Sequence, residues 1–125
     1  MAENRAVAPL EIADARPPAF SDESLALRFS EKHGAVVRYV AAWNRWLHWN
    51  NTCWAIDETM RTFDLARVIC RIASAEIVDP KQARASAAVA SAKTVAAVVS
   101  LARADRRHAA TVEQWDADPW SLNTP

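Results

Sequence analysis

A chain of 125 residues, 51% of them hydrophobic and six of them tryptophan, fits one domain with enough large side chains to fold, which excludes a disordered polypeptide. Fifteen basic residues balance fifteen acidic ones, which excludes a histone-like, uniformly basic binder. The single glycine excludes Walker and dinucleotide-type phosphate loops, whose backbones need several.

Charge is nevertheless uneven. Residues 1–31 hold six acids and three bases, whereas residues 61–108 hold nine bases and four acids. A folded segment with that bias can present a basic face on a neutral chain.

In chain order, residues 1–19 lack periodicity and end in Arg16-Pro17-Pro18, so a flexible arm is expected there, with one domain over 20–125. Ser21 is a good N-cap, and Asp22 and Glu23 suit the first turn of a helix. Phe20 and Leu25 have the spacing of a hydrophobic staple. A helix over 22–33 follows, with Gly34 expected in the left-handed conformation that ends it. Three short runs rich in β-branched and aromatic residues come next: Val36–Val40, Arg45–Trp49 and Cys53–Ile56. Asn44 and Asn50-Asn51 separate them, and the pattern predicts a three-stranded antiparallel, Trp-rich meander with one face against helices.

From Thr59 onward the periodicity is helical. Phe63, Ala66, Cys70, Ala73 and Ile77, joined by Leu65, Ile69 and Ile72, make an apolar stripe opposite Asp64, Arg67, Arg71 and Ser74. Asp79-Pro80 restarts a helix, and residues 80–104 form one long helix or two broken at Ser91. A last short helix is expected over Ala109–Trp115, and residues 116–125 read as turns. The fold class is α+β, mostly α: a helix, the meander, then a C-terminal helical cluster.

Catalytic and metal chemistry finds no foothold. Ala92-Lys93-Thr94 echoes the end of a Walker loop without its glycines. His33, His48, His108 and Cys53 match no zinc spacing, and a Cys53–His48 nucleophile pair would need a third orienting group. Glu113, Asp116 and Asp118 suit capping and turn roles as well as they suit magnesium. No catalytic residue, metal site or cofactor is therefore assigned. Two cysteines without a CxxC pattern read as reduced thiols. No signal peptide or membrane span is evident, so a cytoplasmic location without membrane contact is expected.

Two features could meet nucleic acid. Trp46, Trp49 and Trp54, with Trp43, are interleaved with Arg38 and Arg45 and could form an aromatic platform for bases. Trp46 and Trp54 could equally be core. Arg103, Arg106 and Arg107, with Lys93, could contact phosphates, pair with Asp105 or Asp116, or remain solvated.

The segments Phe20–Ala26, Arg38–Trp43 leading into Trp46, Trp49 and Trp54, and Ser91–Asp105 continuing to Gln114–Trp120 and Leu122-Asn123-Thr124-Pro125 resemble the domain that precedes the helicase core in phage and plasmid primase–helicases. That family carries a superfamily 3 ATPase, and the domain is its DNA primase/nucleoside triphosphatase N-terminal-like part. The resemblance spans about five-sixths of the chain. It implies a role in DNA replication, with DNA or helicase subunits (or a second copy) as partners and no small-molecule substrate. It implies no helicase or ATPase activity here, since the ATPase motifs lie beyond the matching segment. A prophage remnant, a fragment and a small standalone protein are all compatible with it, as is a pure protein–protein module.

Overall fold

A computed structural model describes residues 15–113. The elements, in order, are α1 (Asp22–His33), β1 (Val37–Val40), β2 (Arg45–Trp49), β3 (Trp54–Ile56), α2 (Arg61–Glu76), a 3₁₀ turn (Pro80–Gln82), α3 (Ala83–Val89), α4 (Ala92–Ala102) and β4 (Ala109–Ala110). The architecture is α+β. The expected arm is described only from residue 15 onward, and the C-terminal turns lie outside the described residues.

Local signals account for most boundaries. Ser21 Oγ accepts from the Ser24 backbone N–H at 3.1 Å and caps α1, and Phe20 packs against the helical core. Ser91 caps α4 through the Thr94 N–H at 3.2 Å, so residues 80–104 form two helical pieces bent by 55°. Helix α2 is capped by a residue four positions ahead of it. One Asp57 oxygen accepts from the backbone N–H groups of Thr59 and Arg61, and the other from Thr62 at 2.8 Å. Burial opposes ionisation of this carboxyl, but the Thr62 and Arg61 N–H groups outweigh it and hold its pKa below the ordinary value.

Strands β1, β2 and β3 form the expected antiparallel meander, with Tyr39 opposite Trp46 and Trp49 opposite Trp54. Asn44 and Asn51 take the positive φ that the two turns need. The sheet has a fourth strand, however, and its order is β3-β2-β1-β4. Ala109 and Ala110 run parallel to Tyr39 and Val40 where a helix was expected from Ala109; helical residues begin only at Val112 and Glu113, and the rest of the expected helix lies outside the described residues. Two alanines carry no strand propensity of their own. The pairing is set by long-range contacts, including the Tyr39 N–H bonded to the His108 carbonyl at 2.8 Å.

Alternation gives the sheet two faces. Val37, Tyr39, Trp46 and His48 turn toward the helices, and Arg38, Val40, Arg45, Leu47, Trp49, Trp54 and Ile56 turn away. The helical side holds the main core, built on Leu25, Phe29, Ala66, Cys70, Ala73, Val95, Val98 and Ala102. Ile72, placed in the apolar stripe by its spacing, is 43% exposed, on the far side of α2 from that core. Val40 and Leu47 anchor a second, smaller cluster on the outer face with Trp54, Ala110 and Val112.

Gly34 departs from expectation. Its φ is −61°, right-handed, so positive φ is not the reason for glycine. Close approach is: a Cβ there would lie 2.6 Å from the Ser30 carbonyl oxygen and 3.1 Å from the Arg107 Cβ. The glycine lets the His108 segment close over the end of α1.

That closure centres on His108, which is fully buried. Its Nδ1 lies 2.8 Å from the Val37 carbonyl and its Nε2 lies 2.9 Å from Ser30 Oγ. A carbonyl can only accept, so Nδ1 carries the proton and Nε2 accepts from the serine hydroxyl. Burial holds the imidazole below its usual pKa, in keeping with that neutral tautomer. One side chain thus ties the entry to β4 to both α1 and β1.

Candidate functional site

A cleft of about 710 Å³ opens where the start of β2, the start of α2 and the end of α4 meet. Trp46, Phe63, Val99, Arg45 and Arg103 are among the residues that border it. Tyr39 meets Arg103 and the turn that precedes Arg45. Its hydroxyl hydrogen-bonds Asn44 Oδ1, fixing the left-handed residue that directly precedes Arg45. Its ring lies 5.4 Å from the Arg103 guanidinium carbon, a cation–π distance. Among the described residues neither arginine forms an ion pair. Of the acidic residues on the opposite side, Asp57 is committed to capping α2, which leaves Glu58 as the exposed carboxylate.

Arg103 beside Trp46, Phe63 and Val99, with Arg45 bordering the same cleft from the outer face of β2, suits an anion attached to a planar or apolar group. Among the described residues no acid–base pair of catalytic geometry lines the cleft.

The other expected contact residues are dispersed. Lys93 is exposed at the start of α4, ten residues from Arg103 and so roughly 15 Å along the helix axis. Arg106 is exposed and folds back to donate to the Ala104 carbonyl at 2.8 Å. Arg107 makes a bidentate pair with Asp105, with both contacts at 2.9 Å. Its hydrogen bonds hold the Asp105 carboxyl below its usual pKa. Arg107 is therefore tied to the turn that carries His108.

The aromatic residues divide between the two faces. Trp46 lies against the helices, with Tyr39, Phe29 and His108 ring centroids at 4.9, 6.4 and 5.5 Å. Trp49 and Trp54 pack together on the outer face at 5.7 Å, with the Arg38 guanidinium 4.9 Å from the Trp54 ring centroid. Trp43 is 36% exposed in the β1–β2 turn. Arg45 was recognisable from sequence as one of the arginines among the tryptophans. Its convergence with Arg103, 58 positions later, needed the fold.

His48 and Cys53 are not brought together. His48 Nε2 sits 2.7 Å from Thr62 Oγ1 and 3.5 Å from Asp57 Oδ2. Both contacts use the same nitrogen, so Asp57 cannot orient the ring for proton transfer to Thr62 in the manner of a relay. Cys53 instead meets Asn50. Burial lowers the pKa of His48 despite the opposing pull of Asp57. Cys53 and Cys70 are both free thiols. Among the described residues no group of three His, Cys, Asp or Glu side chains could hold a metal ion. In the same range, no single helix is long and apolar enough to cross a membrane.

The model of the D5 N terminal like family matches residues 26–125. The chain belongs to this family, the N-terminal domain of phage and plasmid primase–helicase proteins. No curated protein and no solved structure matches the chain. The D5 N-terminal domain is distinct from the ATPase core of those proteins, and the match covers the helical core, the meander and the Arg45–Arg103 cleft alike.

Proposed function

We propose that this D5 N-terminal-like domain is a non-catalytic accessory module of DNA replication that contacts DNA through the mouth of the Arg45–Arg103 cleft. The observation that supports this reading is one cleft bordered by two arginines, neither ion-paired among the described residues, with Arg103 lying over the buried Tyr39 ring. Phosphates would engage the guanidiniums. Trp43, exposed in the turn beside Arg45, offers a ring for stacking. Arg106 stands as a further exposed cation near the end of α4, whereas Arg107 serves the fold.

Fluorescence anisotropy with single- and double-stranded oligonucleotides across a salt series tests this. Binding should weaken with salt. The Arg45→Ala/Arg103→Ala double variant should reduce the salt slope by about two. Lys93→Ala, far along α4, should change little. Absent or salt-insensitive binding would remove the reading.

Assembly is the second reading, favoured by Met60 and Ile56. These apolar side chains are 67% and 46% exposed on the cleft rim. Met60 holds a left-handed backbone with φ 59°, a strained conformation for a side chain of this size. Self-association measured by light scattering and abolished by Met60→Glu would favour assembly over DNA contact.

A further inference from the structure

The outer face of the sheet has an apolar surface, a cation and a chain leading onto it. Val40 and Leu47 are 0% and 4% exposed. The described apolar residues packed on them are Trp54, Ala110 and Val112, none of them from α1–α4. Arg38 sits among them over the Trp54 ring and donates to the Gly34 and Val37 carbonyls. Burial lowers its pKa, and no described carboxylate forms an ion pair with it.

The described chain reaches this face at Val112, where helical residues begin, and ends at Glu113. The sequence continues Gln114-Trp115-Asp116-Ala117-Asp118-Pro119-Trp120, which supplies two large aromatic rings and two carboxylates. Strands lie about 4.8 Å apart, so the path from β4 to β3 across three spacings is about 14 Å. The seven residues 114–120 cover about 10 Å at helical rise and up to about 23–25 Å when extended, which brackets that path. Reach, apolar content and charge sign all agree.

We propose that the outer sheet face is an intramolecular docking surface for residues 114–120 of the same chain, with Arg38 as the site for Asp116 or Asp118. On this assignment the Trp49–Trp54 pair is a dock for protein, and whatever follows in the chain leaves the domain from the β3 side of the sheet. The proposal is independent of DNA contact at the Arg45–Arg103 cleft.

Hydrogen exchange on the whole chain tests it. Trp115→Ala/Trp120→Ala and, separately, Asp116→Asn/Asp118→Asn should speed exchange of the Trp54–Ile56 amides by about tenfold or more, leaving α1 unchanged. The charge variant keeps the aromatic rings, so it reports the Arg38 contact by itself. Unchanged β3 exchange in both variants would overturn the proposal. Protection of β3 that depends on protein concentration would also overturn it, by assigning the face to a second copy. Oligonucleotide anisotropy on the same variants should match the parent protein. Loss of binding there would return the face to nucleic acid and refute the docking role.

Discussion

The two faces of the four-stranded sheet use similar residues to different ends. On the inner face, Tyr39, Trp46 and His48 meet one another and ring and hydroxyl partners supplied by α1, α2 and the His108 turn. On the outer face, Trp49, Trp54 and Arg38 meet one another and a two-residue cluster. A tryptophan in this chain is therefore core or surface according to strand parity and not according to residue type. Trp46 and Trp49, three residues apart, fall on opposite sides.

The largest expected effect tests the inner side. Phe29, fully buried and in ring contact with Trp46 and His108, should cost about 3–5 kcal/mol when replaced by alanine. Trp49→Ala on the outer face should cost about 1 kcal/mol. Equal losses in urea unfolding would erase the distinction between the faces. Gly34→Ala comes next, at about 1–3 kcal/mol, because the new methyl must displace the Ser30 carbonyl or the Arg107 stem. A near-neutral result would show that the α1–His108 junction is looser than its distances indicate.

Acid should weaken the inner face selectively. Burial lowers the pKa of both His48 and His108 below the ordinary imidazole value of about 6.5, so the unfolded chain takes up protons first as pH falls. Stability is then full above about pH 6.5 and declines as pH drops below it. His108→Gln should start from lower stability and show a shallower decline between about pH 7 and 5. An unchanged slope would mean that His108 does not titrate with unfolding. The smallest effect belongs to the exposed outer edge, where Ile56→Ser should stay within about 0.5 kcal/mol.

Local chemistry made α1 legible from the sequence, because Ser21, Asp22, Glu23 and the Phe20–Leu25 pair act within one or two turns. The meander was legible for the same reason: asparagine at positions 44 and 51 supplies the required backbone. The break at Ser91 was marked by a side chain that can cap. What could not be read depends on distance along the chain. Ala109 and Ala110 become a strand only because β1 offers an edge and His108 anchors the approach. Gly34 is squeezed between the Ser30 carbonyl of its own helix and the stem of Arg107, 73 positions away. The candidate site divides in the same way. Arg103 was identifiable within a basic run, but only the folded chain separates it from Lys93, commits Arg107 to Asp105 and brings Arg45 alongside.

The parallel pairing of β4 with β1 orders events during synthesis. Tyr39 leaves the ribosome 70 residues before its partner Ala109, so that edge of β1 stays open while all the helices between them emerge. Until then the nascent sheet has an uncapped, partly aromatic border, and Ser30 and the Val37 carbonyl await the imidazole that will satisfy them. A chain interrupted before residue 108 would keep most of its helices and still expose a strand able to pair with a neighbour, so the arrival of residues 108–110 is what protects that edge from misassembly.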